Sequence, residues 1–77
     1  MALDRLGEKL RTLRTQRGLS QTKLGQALGY ADGSYISDVE NSRTKPTAEF
    51  VLKVSEYFGV SADALLRDEV EVGEDTP

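Results

Sequence analysis

The chain contains no cysteine, no histidine and no tryptophan. Without cysteine no disulfide can hold a small fold together, which suits a reducing compartment. Without cysteine and histidine a zinc site of the usual kind is excluded, and so is catalysis through a thiolate or an imidazole. No apolar run approaches the ~20 residues of a membrane-spanning helix. The N-terminus shows no signal-peptide pattern, so a soluble, cytoplasmic protein with no membrane partner is expected. No convergent carboxylates and no phosphate-cradling glycine loop are visible, and 77 residues offer little bulk for a buried pocket. The expectation is a protein that is not an enzyme and takes no cofactor, metal or evident small-molecule ligand. A chain of this length makes one domain, near the lower limit of what a single core stabilises.

Charge is divided unevenly. The net value is −3, yet residues 1–67 hold all ten basic residues against eight acidic ones, a surplus of two positive charges. The last ten residues hold five acids (Asp68, Glu69, Glu71, Glu74 and Asp75) and no base. Residues 1–67 are therefore expected to form the domain and 68–77 an acidic tail, either disordered or, from the alternation Glu69–Val70–Glu71–Val72, a β-arm reaching a partner subunit. A surplus this small gives modest salt-driven affinity for nucleic acid, so any such binding must lean on a few placed contacts and on dimerisation.

Leu3, Leu6, Leu10 and Leu13 recur at spacings of three, four and three, which predicts an amphipathic first helix from about Leu3 to Gln16. Its outer faces carry Arg5, Glu8, Lys9, Arg11 and Arg14, and Gly18 ends it. Ser20 caps a second helix over about 21–28, with Leu24, Ala27 and Leu28 as its apolar stripe and Gly29 just past its end. Asp32 caps a third over about 33–40, buried along Ile36 and Val39. Pro46 closes a polar loop, and Thr47 to Phe58 reads as a fourth helix with Ala48, Val51, Val54, Ser55 and Phe58 on one face. Gly59 closes it, and Ser61 caps a fifth helix from Ala62 to Leu66 with Leu65 as its core residue. Gly7 and Gly25 sit inside helices at ~1 kcal/mol each, which close helix–helix approach would explain. The second and third helices, joined by a tight turn and carrying a polar outer face of Gly33, Ser34, Tyr35, Ser37 and Asp38, form a helix-turn-helix, whose second helix can enter a DNA major groove.

The segments LRTLRTQRGLSQTKLGQALG, SYISDVENSRTKP and VLKVSEYFGVSADALL fall in order over about residues 5–66. They resemble the phage-repressor and Cro-like, or XRE-type, helix-turn-helix regulators. That resemblance implies an all-α, compact five-helix bundle of the phage-repressor DNA-binding type. It also implies a homodimer on double-stranded operator DNA, most often a repressor at a pseudo-palindromic site. By matched position, Ser34, Ser37 and Asp38 face base edges, with Gly33 at a fourth such place. Gln21 bonds a phosphate and braces the recognition helix, and Tyr35 reaches phosphate or the groove wall. Asn41, Arg43, Thr44 and Lys45 grip the backbone beyond that helix, and Arg14 with Glu40 makes an internal ion pair. Physical chemistry agrees with these types. Phosphate contacts want amide, hydroxyl and cationic donors and set register, whereas Asp38 could accept from a cytosine amino group.

The chain departs from the family pattern in two places. One extra residue lies between Gly29 and Ile36, and Gly33 replaces the usual long polar base-reader, which leaves more to DNA shape. Phe50 and Tyr57 lie nearly on one line of the fourth helix, and with Leu66 they are expected to form the dimer interface, unless one ring folds over the core's edge. A reading of another class is a protein-interaction adaptor or antitoxin-like module on the same fold. The weak basic charge and Asp38 favour it, while Gln21, Arg43 and Lys45 oppose it.

Overall fold

Five helices follow one another in the computed structural model, which describes residues 5–67: α1 (Leu6–Gln16), α2 (Gln21–Ala27), α3 (Ser34–Glu40), α4 (Ala48–Phe58) and α5 (Ala62–Leu66). There is no strand among the described residues. Leu3 and the Val70/Val72 alternation lie outside them, so the expected start of the first helix and the two readings of the tail fall beyond the description.

Several helix boundaries have a local cause. The hydroxyls of Ser20, Thr47 and Ser61 accept from the backbone N–H of Lys23, Phe50 and Ala64, capping α2, α4 and α5 at about 1 kcal/mol each. Asp32, expected as the cap of α3, stands two residues before it, outside the N-cap Gly33, and its carboxylate accepts from the Ser34 N–H at 2.9 Å. Gly29 and Gly59, at φ of 95° and 71°, make the left-handed turns that end α2 and α4.

The core gathers Leu6, Leu10 and Leu13 of α1 with Leu24, Leu28, Ile36, Val39, Phe50, Val51, Val54, Phe58 and Leu65. Burying a Leu, Ile or Phe contributes about 1.5–3 kcal/mol, and with no cysteine in the chain this core carries the fold. α3 packs on α1 and α2, while α5 packs on α4 and α1. Backbones meet closely where glycine stands. A Cβ on Gly7 would lie 2.5 Å from the Val39 carbonyl oxygen, and one on Gly25 would lie 2.1 Å from that of Asp32. Helix–helix approach therefore accounts for Gly7, whereas Gly25 makes room for the turn that leads into α3.

Several expectations need correction. Phe50 is 1% exposed, so it is a core residue and not an interface residue. Its ring takes Tyr35 edge-on at 4.9 Å, and Tyr35 stacks on Tyr30 at 5.2 Å. Tyr35 is accordingly half-buried, with its ring packed against the core. Lys9, expected on the outer face of α1, is fully buried. Its ammonium donates to the carbonyls of Ala64, at 2.6 Å, and of Arg67, which satisfies the free end of α5. Ala27 and Ala48 are exposed. Leu66 is half-buried against the core, and among the described residues the large hydrophobics left exposed are Leu52 and Tyr57, both on α4.

Candidate nucleic-acid interface

The placement of α3 begins with Gly33. A Cβ there would stand 2.6 Å from both the carbonyl carbon of Gln21 and the nitrogen of Thr22, so only glycine lets the start of α3 cross the first turn of α2. Gly33 is buried in that crossing, which corrects its expected place among the base-reading positions: it has no side chain to present and faces α2.

At the other end of α3 stands Glu40, whose side chain has no exposed surface. Arg14 donates to it through Nε at 2.6 Å and Nη2 at 3.1 Å. Arg11 Nε adds a bond at 3.2 Å, and Gln21 Nε2 one at 3.1 Å. Burial pushes the Glu40 carboxyl up, but the hydrogen bonds from Arg14, Gln21 and Arg11 and the Arg14 charge outweigh it, leaving the group below its ordinary value. The Arg14–Glu40 pair is therefore present as expected, and α1, α2 and α3 meet on one carboxylate. Gln21 braces α3 through this bond, and the second hydrogen on its amide nitrogen stays available to an outside acceptor.

Between these two anchors, α3 and the first turn of α2 enclose an open polar hollow of about 470 Å³. Gln21, Thr22, Asp32, Gly33, Ser34, Ser37, Asp38 and Arg43 line it. Ser34, Ser37 and Asp38 are thus brought to one outward surface, together with Gln21. The Ser34 backbone N–H, and after it the Ser34 hydroxyl, hold the Asp32 carboxyl below its ordinary value. Asn41 turns its amide back onto the Ser37 carbonyl at 2.9 Å and hydroxyl at 3.3 Å. Arg43, expected on the backbone-gripping loop, reaches the hollow as well, with Nη1 3.9 Å from Asp38 Oδ1. Lys45 is exposed and Thr44 half-buried, both outside the hollow.

Sequence reasoning missed three contributors. Lys9 falls three residues after Leu6 and four before Leu13, so its place on the apolar stripe of α1 was the available signal. Tyr30 follows the turning glycine of α2, where an apolar residue often packs back on the helix. Nothing in the sequence marks Arg11 as a third donor to Glu40.

The surroundings of this surface agree with known proteins. A helix-turn-helix domain family matches residues 5–68. The HTH-type transcriptional regulator SinR of Bacillus licheniformis is 34% identical over 67 residues, covering 86% of this chain and 60% of SinR. The HTH-type transcriptional regulator RamB of Mycobacterium tuberculosis is 36% identical over 62 residues, covering 80% of this chain but 13% of RamB. The crystal structure of the P22 c2 repressor protein in complex with synthetic operator 9T in the presence of Tl+ superposes with a TM-score of 0.75. It shows 33% identity and covers 83% of this chain and 96% of that one. The chain belongs to the helix-turn-helix domain family, in its phage-repressor or XRE-type branch. It spans three-fifths or less of the SinR and RamB chains. The family is one of regulators and not of enzymes.

Proposed function

We propose that the chain is a sequence-specific DNA-binding transcriptional regulator, a repressor that acts as a homodimer on a pseudo-palindromic operator in the cytoplasm. The observation that carries this reading is the gathering of Ser34, Ser37, Asp38 and Gln21 about one open hollow on the outer side of α3. Rigidity supports it, since Gly33 fixes one end of α3 and Glu40 the other. The names of SinR and RamB as transcriptional regulators, and the operator bound to the P22 c2 repressor, point the same way. Residues 1–67 form the binding domain, and 68–77 remain a separate acidic tail.

In this reading Ser34, Ser37 and Asp38 address base edges, while Gln21, Asn41, Thr44 and Lys45 hold phosphates and set register. The recognition helices of the two subunits enter successive major grooves, about one helical turn apart. Tyr57 and Leu66 remain the residues proposed for the dimer contact. Selection of bound fragments from random DNA tests the whole reading: a symmetric, enriched site is expected, with affinity falling steeply as salt rises. Failure to enrich any sequence at low ionic strength would overturn it.

An adaptor that binds another protein is the second reading, favoured by the two carboxylates, Asp32 and Asp38, that line the hollow. Such a partner would leave binding to random DNA absent at every salt concentration.

A further inference from the structure

We infer that Arg43 and Asp38 act as one unit that reads a guanine–cytosine pair beside the C-terminal half of α3. This rests on the DNA-binding reading above and moves Arg43 from gripping the backbone to reading a base pair.

The first observation is how α3 ends. At α1, α2 and α4 the chain reverses through a glycine with positive φ: Gly18, Gly29 and Gly59. The N–H that follows each turn bonds the carbonyl five residues back. At α3 the same turn is made by Ser42, at φ 59°, where a side chain is disfavoured. The Ser42 N–H bonds the Val39 carbonyl at 3.1 Å, and the Arg43 N–H bonds the Asp38 carbonyl at 2.8 Å. The backbone of Arg43 is thereby fixed to residue 38, and a loop cation becomes an extension of the recognition helix.

The side chains repeat that pairing. Arg43 Nη1 lies 3.9 Å from Asp38 Oδ1, with the two side chains 68% and 46% exposed, and both line the hollow with Ser34 and Ser37. An ion pair this exposed adds little to stability, so its consequence lies in what it presents. A free arginine at this surface would be drawn to any phosphate, and a free carboxylate would be repelled by all of them. Pairing cancels most of both effects and leaves directional hydrogen bonding. In the major groove guanine offers two acceptors, N7 and O6, which suit the arginine fork, and cytosine offers the N4 amino donor, which suits a carboxylate. An A·T pair presents a donor where guanine has its second acceptor, and a methyl group where cytosine has only a ring C–H. G·C is therefore the pair that satisfies Arg43 and Asp38 together.

The test takes the site selected from random DNA by the full chain and replaces its G·C pairs one at a time with A·T. Wild type, Arg43→Lys, Asp38→Asn and Arg43→Gln are then titrated on each duplex. One G·C pair per half-site should carry a roughly 5- to 150-fold preference, the span of one good bidentate contact. Arg43→Gln and Asp38→Asn should each erase that preference at that one pair and leave the others intact, while Arg43→Lys, whose ammonium still reaches guanine N7 or O6, reduces it with an unchanged salt slope. If Arg43→Lys keeps every preference while Arg43→Gln weakens all duplexes alike and lowers the salt slope by about one, Arg43 is a phosphate contact and the inference fails alone. If no duplex is enriched or bound, the DNA-binding reading fails and takes the inference with it.

Discussion

The two ends of α3 are held by different physics. Its N-terminal end is fitted by shape: Gly33 lies against the first turn of α2, and the rings of Tyr30, Tyr35 and Phe50 pack together at the first turn of α3. Its C-terminal end is fitted by charge, through one buried carboxylate that takes bonds from Arg14, Arg11 and Gln21. Steric contacts are indifferent to pH and salt, whereas a buried ion pair depends on the protonation of both partners. The helix proposed to read DNA is therefore pinned by one element that acid can release and one that it cannot.

The largest effect should come from breaking the charged end. Arg14→Leu strands Glu40, and removing one partner of a buried pair costs ~3–5 kcal/mol. The low end of that range is expected, because Arg11 and Gln21 still donate to the carboxylate. Urea unfolding measures it, and a loss below about 1 kcal/mol, the worth of an exposed pair, would show that the charged end is not what fixes α3.

Acid probes the same contact without mutation. Folding lowers the Glu40 pKa, so the stability it contributes is fully present above its unfolded value and is lost as pH falls through the lower folded value. Asp32 has the same sign, but it is fully exposed and screened by water. Glu40→Gln should therefore flatten the acid limb of the urea midpoint, while Asp32→Asn leaves it nearly unchanged. The reverse ranking would place the acid-sensitive group at the wrong end of the helix.

Next in size is the steric end. Gly33→Ala sets a Cβ 2.6 Å from backbone atoms of Gln21 and Thr22, which are not free to turn away. Overpacking of this kind costs ~1–3 kcal/mol, read by the same unfolding, with no change in the acid limb. A neutral result would mean that the α2–α3 crossing is loose.

How far all this was legible in the sequence follows the same division. Helical periodicity and end signals found all five helices, because Leu6, Leu10 and Leu13 mark a stripe and Ser20 and Ser61 mark caps, while Thr47, read as the first residue of the fourth helix, is its cap. The Arg14–Glu40 pair came through family resemblance, since no spacing rule joins residues 26 positions apart. Phe50 was misplaced because the buried face of the fourth helix was expected to run through Ala48 with Val51, Val54, Ser55 and Phe58, whereas Ala48 is exposed and the face takes in Phe50. Gly33 was read as a missing side chain, when its lack of one is what the crossing requires. Such backbone distances belong to tertiary packing and leave no periodic trace.

The smallest effect concerns the extra residue in the turn between α2 and α3. Tyr30 stacks on Tyr35 and also carries the Lys53 ammonium 4.9 Å above its ring, so the lengthened turn is tied both to α3 and to α4. Tyr30→Leu keeps an apolar contact but removes the stack and the cation–π contact, a loss of ~0.5–1.5 kcal/mol. Because Tyr35 lies in the first turn of α3, the variant should also blur discrimination among operator bases near Ser34 while sparing those near Asp38. Uniform weakening across the site would instead make Tyr30 a contributor to stability alone, with no hold on the angle at which α3 meets DNA.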